Sequence, residues 1–130
     1  MRYLLDTNAV IGLMGGAPAI LSRVRWKHPS DLCVSAITIH ELYFGAYKGA
    51  RTNETIERLT HLELDVVPLD REDAMRAGEI RAYLGRAGTP IGVPDALIAG
   101  QAISRDFTLV TRNLREFRRV LDLRLEDWEA

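Results

Sequence analysis

The sequence predicts an α/β fold with a central, mainly parallel twisted sheet of four to five short strands flanked by helices. Three observations lead to it. Short apolar runs of strand length alternate with longer helical patterns along the chain. The first run, Arg2-Tyr3-Leu4-Leu5, breaks at Asp6-Thr7-Asn8, a carboxylate followed by two small polar residues, as a buried strand does where it meets a ligand crevice. The 130 residues, 47% of them apolar, suit one compact domain over 1–130 with a real core. Alternating strands and helices in turn call for right-handed connections and a parallel sheet whose strand ends share one edge.

In chain order, the first strand gives way to a short helix over Asn8–Met14, broken by Gly15-Gly16-Ala17-Pro18. Pro18 starts a helix carrying Ile20, Leu21, Val24 and Trp26, and His28-Pro29-Ser30 ends it. Leu32-Cys33-Val34 is a second buried strand, and Ser35 caps a helix over 36–47. On that helix Ile37, Glu41, Phe44 and Gly45 share one face, which puts a carboxylate in the stripe expected to meet the core. An amphipathic helix over 54–62 follows, then a strand at 64–67 ended by Pro68. Asp70-Arg71-Glu72-Asp73 has the pattern of a capped acidic helix start. The loop Gly88 to Val93 leads into Pro94–Ile103, a helix apolar nearly all round that opens on Asp95. A fourth strand at 108–111 is followed by an arginine-rich stretch over 112–119. A last short strand at 121–125 precedes Trp128, which packs back onto the domain.

Composition narrows the function. No apolar run approaches the roughly 20 residues of a membrane span, and the N-terminus has no signal-peptide pattern, so the expected location is the cytoplasm. The lone Cys33 sits between Leu32 and Val34 as a core residue, leaving no disulfide or thiolate metal site. Net charge is −1, but fifteen of the seventeen basic residues are Arg, the side chain suited to bidentate phosphate contact. Arg112, Arg115, Arg118 and Arg119 read either as a solvated face or as a phosphate-contacting rim.

Each acid also has a structural reading. Asp6 and Asp95 suit helix N-termini, and Glu41 suits the edge of its stripe. Together they read differently. If Asp6, Glu41 and Asp95 converge, they must hold a hard cation, and an all-oxygen set without Cys or His selects Mg²⁺ or Mn²⁺ over Zn²⁺. Such ions serve phosphoryl chemistry.

The blocks Leu4–Asn8, Ser35–Leu42, Pro90–Ala99 and Leu109–Asn113 also resemble the four motif blocks of the PIN domain, and more narrowly those of VapC toxins of bacterial toxin–antitoxin pairs. The likeness runs nearly end to end, through Arg115-Glu116-Phe117 to the closing Leu125-Glu126-Asp127-Trp128. It implies a Mg²⁺-dependent endoribonuclease with Asp6, Glu41 and Asp95 as metal-binding catalytic acids, tRNA as the favoured substrate, a VapB antitoxin covering the site, and toxin homodimers. Many PIN domains carry a fourth Asp where this chain has Asn113, and Glu116, one helical turn on, is the candidate substitute. Two other readings stay open. A haloacid-dehalogenase-like phosphatase also begins with a strand ending in Asp, but wants a second Asp where Asn8 stands. A catalytically silent PIN-like interaction module fits Asn113.

Overall fold

In a computed structural model describing residues 1–129, every strand of the sheet is parallel. The strands are β1 (Tyr3–Leu5), β2 (Leu32–Ser35), β3 (Asp65–Val67), β4 (Thr108–Val110) and β5 (Arg124–Glu126), in the spatial order β3-β2-β1-β4-β5. The helices are α1 (Thr7–Met14), α2 (Pro18–Val24), α3 (Ala36–Lys48), α4 (Thr52–Thr60), α5 (Arg71–Arg86), α6 (Val93–Ser104) and α7 (Leu114–Phe117). From β1 the chain moves outward to β2 and β3, then returns through α5 and α6 to β4 on the far side of β1. The strand order therefore reverses between β1 and β4, where Leu4 lies opposite Leu109 and Leu5 opposite Val110.

Strand periodicity sorts the core into two layers. Leu4, Cys33, Val67 and Leu109 face α5, α6 and Phe117 of α7, whereas Leu5, Leu32, Val34 and Val110 face α1 to α4. Cys33 is fully buried, and burial pushes its thiol up to about 11, so it is an inert core residue. On the α5–α6 side the helices meet backbone to backbone. A Cβ at Gly100 would lie 2.6 Å from the Asp73 carbonyl oxygen and 2.8 Å from the Ala77 nitrogen, so only glycine permits this approach.

Polar links fix the helices to the strand ends. Fully buried Gln101 accepts from the Ser35 hydroxyl and donates to the carbonyls of Val67 and Pro68 at 3.2 Å each, while Ser35 caps α3 through the Ile37 N–H. At the start of α5, Asp70 and Asp73 form a reciprocal capping box, as their spacing predicts. Asp73 does more than cap. It is fully buried, accepts from the Ser104 hydroxyl, and lies 3.0 Å from Arg105 Nη2, so it also ties the start of α5 to the end of α6.

Three expectations are corrected and one stretch is defined. The arginine-rich stretch is helical for only one turn, over 114–117. The last strand lies at 124–126, because Asp122 takes a left-handed turn (φ 67°) before the chain reaches the sheet. Trp26 lies beyond the end of α2 and is 78% exposed. On α3 the buried residues are Thr38, Leu42 and Ala46, so Glu41, Phe44 and Gly45 form part of the open face and not the core stripe. Trp128 does pack back, 5.3 Å from the Tyr3 ring centroid, and is 2% exposed.

Burial alone would raise the pKa of Asp73, but hydrogen bonds from Arg105, Ser104 and the Asp70 backbone hold it below the usual carboxylate range. Its contribution to stability is therefore complete above the pKa of an unfolded aspartate and lost as pH falls through the depressed folded value. Asp73→Asn is expected to cost on the order of 3 kcal/mol in urea unfolding at neutral pH, with the gap to the parent chain closing in acid. A gap that does not change with pH would rule out the ion pair as its source.

Candidate active site

In an open parallel sheet, the point where strand order reverses leaves a crevice outside the carboxyl ends of the two central strands. Here that is the end of β1 and β4. Asp6 follows β1 directly, and its N–H donates to the Val110 carbonyl at 3.0 Å, which fixes the residue to the neighbouring strand. Its Oδ1 accepts from the Ala9 N–H at 2.9 Å, capping α1. The buried Thr111, just past β4, accepts from the Asn113 N–H at 2.9 Å, and its nearby hydroxyl works against the rise in the Asp6 carboxyl pKa. The capping and crevice readings of Asp6 are thus both satisfied by one side chain.

The other acids come from elements that converge on the same edge. Glu41 stands on the open face of α3, and Asp95 lies half-buried in the first turn of α6. Burial raises the carboxyl pKa of all three, and repulsion from a neighbouring acid adds to each. Asp6 and Asp95 both act on Glu41, and Glu116 and Asp6 act on Asp95. Asp6, Glu41, Asp95 and Glu116 therefore share one electrostatic neighbourhood. No Lys or Arg forms an ion pair with Asp6, Glu41 or Asp95 among the described residues. Nor, among the described residues, do three His, Cys, Asp or Glu side chains stand close enough to hold an ion as they lie. The set is a gathering of neighbouring carboxylates and not a closed ligand cage.

The remaining predicted residues occupy the rim. Asn113 is exposed and precedes α7, with no side-chain cap bond. Glu116 pairs with Arg119 at 2.6 Å. Arg115 is exposed, and Arg112 lies 4.0 Å from Glu129. One acid was missed by the motif reading. Asp127, in the tail after β5, adds its charge to the repulsion on Asp6. Its signal was topological, since a fifth parallel strand ends on the same edge as the first. His40 is exposed beside Glu41, in keeping with a surface role.

From the acids a groove of about 710 Å³ runs between α1, α3 and α4, with Ile11, Met14, Leu59 and Gly45 along it, Glu41 in its lining and Arg58 at its rim. Nothing lies within 4 Å above Gly45, so the groove is open there.

A family model described as PIN domain matches residues 3–122. The chain belongs to the PIN-domain family. It is 38% identical over 130 residues to the tRNA(fMet)-specific endonuclease VapC of Salmonella typhimurium, with 98% of each chain covered. It is 39% identical over 131 residues to ribonuclease VapC2 of Haemophilus influenzae, again with 98% of each covered. Within the PIN-domain family it therefore falls among the VapC ribonucleases. Among solved structures, DNA-bound VapBC from Salmonella typhimurium superposes with a TM-score of 0.91 at 37% identity over 98% of both chains. VapBC-1 from nontypeable Haemophilus influenzae gives 0.91 at 35% identity over the whole of both. These matches leave the dehalogenase-like alternative without support.

A carboxylate with a raised folded pKa costs stability above its unfolded pKa, and the cost disappears as pH falls through the folded value. Glu41→Gln keeps side-chain size and helix propensity while removing the charge, so the metal-free PIN domain is expected to gain about 0.5 kcal/mol at neutral pH. Thermal unfolding at two pH values reads this, with the gain shrinking in acid. A loss of stability at neutral pH would mean that Glu41 is held by a favourable partner.

Proposed function

We propose that this chain is the toxin of a type II toxin–antitoxin pair, a Mg²⁺-dependent endoribonuclease restrained by a VapB-type antitoxin. The observation that carries the reading is the gathering of Asp6, Glu41 and Asp95 at the reversal point of a parallel sheet, without basic partners. The donor set fits a hard divalent cation. It is all oxygen, it carries excess negative charge, and Glu41 is exposed enough to swing toward the others. Mg²⁺ meets that need, with Mn²⁺ as a substitute.

In this reading Asp6 and Asp95 hold the ion most directly, and Glu41 orients the attacking water. When bound, the ion supplies a Lewis acid that polarises the scissile phosphate and makes water acidic enough to attack it. The cap bond from the Ala9 N–H fixes the Asp6 Oδ1, and Thr111 stands near that carboxylate. Asn113 stands at the rim as a polar group able to orient water, and Glu116 is an outer acid. Arg112 and Arg115, both exposed beside the crevice, contact the RNA backbone. The Salmonella relative's name specifies initiator tRNA, which makes tRNA the first substrate to test.

The groove beside the acids suits an antitoxin segment. Its apolar lining from Ile11, Met14 and Leu59 matches an amphipathic helix, and Arg51 and Arg58 favour acidic flanks. The aromatic groups expected nearby divide between two roles. Phe44 and Tyr47 are 59% and 67% exposed beside the groove, whereas Tyr43 packs on the α1–α4 core layer. The toxin works as a single domain, pairs as a homodimer and acts in the cytoplasm. No helix among the described residues is long and apolar enough to cross a membrane.

Asp6→Asn preserves the helix cap, since Asn caps as well as Asp, but removes a ligand charge. It is expected to lower cleavage of a tRNA panel by at least about 100-fold with no loss in thermal midpoint, and EDTA is expected to abolish cleavage by the parent chain. Cleavage that survives both would overturn the mechanism, and a parent chain that cuts no RNA in Mg²⁺ or Mn²⁺ would favour the silent module. Separately, Ile11→Asp is expected to weaken binding of the cognate antitoxin by about tenfold or more while RNA cleavage persists. Unchanged affinity in calorimetry would exclude the groove as the docking site.

A further inference from the structure

Of the four arginines between 112 and 119, Arg119 alone is largely covered, with 24% of its side chain exposed. Its guanidinium is shared between two segments. Nη2 donates to the Glu116 carboxylate at 2.6 Å and Nε to the Glu116 carbonyl at 3.1 Å, which ties it to α7. Nη1 donates to the Thr89 carbonyl and, at 3.2 Å, to that of Pro90. Those carbonyls belong to the loop that passes through buried Ile91 to Gly92, the N-cap of α6, three residues before Asp95. One planar fork thus joins the segment that carries Glu116 to the segment that delivers Asp95. A lysine has a single charged point and cannot span these acceptors.

We propose that Arg119 is a positioning residue of the cation site, a clamp that sets the Asp95 side of the crevice against α7 and holds Glu116 outside the inner ligand set. The inference rests on the divalent-cation reading given above. It assigns a role to an arginine that, in the sequence, is one of a cluster suited only to solvent or phosphate. Arg119 touches neither substrate nor ion in this role, and it acts through the backbone of residues 89–90 and through Glu116.

The sign of its effect on metal affinity separates positioning from charge. Arg119→Gln removes a positive charge beside a cation site, which by Coulomb attraction alone would tighten cation binding. Loss of an outer-shell support instead weakens it, by 10- to 100-fold where such supports have been removed. The test is titration of the full-length, metal-free protein with Mn²⁺, with free Mn²⁺ followed by electron paramagnetic resonance. The proteins compared are the parent chain, Arg119→Gln, Arg119→Lys, Glu116→Gln and Asp95→Asn, each checked by circular dichroism.

Arg119→Gln and Arg119→Lys are both expected to bind Mn²⁺ about tenfold more weakly, with kcat on RNA reduced and KM unchanged. Glu116→Gln, which leaves the loop contacts in place, is expected to show a smaller loss. Mn²⁺ affinity that is unchanged or tighter in folded Arg119 variants overturns the clamp. Should Arg119→Gln fail to fold, Arg119→Lys decides the question by the same criterion. If Asp95→Asn loses Mn²⁺ while the Arg119 variants keep it, only the clamp fails. If Asp95→Asn binds Mn²⁺ as the parent chain does, the cation reading fails and takes the clamp with it.

Discussion

Two neighbouring parallel strands whose connections leave in opposite directions create the crevice on which the rest of this molecule depends. Because β1 and β4 pair in register, with Leu5 opposite Val110, the residues that follow them emerge side by side. Asp6 and Thr111 then stand next to each other, and the Asp6 N–H closes the strand ladder onto Val110. Parallel pairing also brings the ends of β2 and β5 to the same edge, so α3 arrives with Glu41 and the tail arrives with Asp127. The return through α5 and α6 delivers Asp95 from the opposite layer. An antiparallel sheet would scatter these groups over both edges.

Two aspartates show how differently the fold treats the same side chain. Asp73 is fully buried yet stabilising, because Arg105, Ser104 and the α5 backbone satisfy its oxygens and lower its pKa. Asp6 is only partly buried, holds its proton more tightly than usual, and is pushed that way by burial and by Asp127. One carboxylate is compensated within the chain, and the other is left with excess charge. That contrast separates a structural acid from one that invites an external cation.

The candidate site divides by where its information lies in the chain. Asp6, Glu41 and Asp95 were visible as acids that interrupt apolar patterns, and their order and surroundings match the PIN motif blocks. The side of α3 that faces the core was misjudged, because Phe44 continued an apolar stripe from Ile37 that meets the core only at its start, while Thr38, Leu42 and Ala46 pack inward. Two of those three are small or polar, so hydrophobicity alone marked that side weakly. The helix within the arginine stretch is one turn long. Its local propensity is adequate, but the chain leaves the helix after Phe117 to bury Val120 and reach β5.

By itself the sequence determined the fold class, the succession of strands and helices, the capping box at Asp70 and Asp73, and the identity of the acids, because each follows from side-chain chemistry over a few neighbouring positions. Only the tertiary structure decided that Asp127 joins the charge around Asp6, that Gly100 lets α5 and α6 touch backbone to backbone, and that Arg119 grips residues 89–90. Those facts depend on segments distant in the chain meeting in space. Such meetings are fixed by the order of strands in the sheet and by packing across its two faces, and no local pattern of residues encodes them.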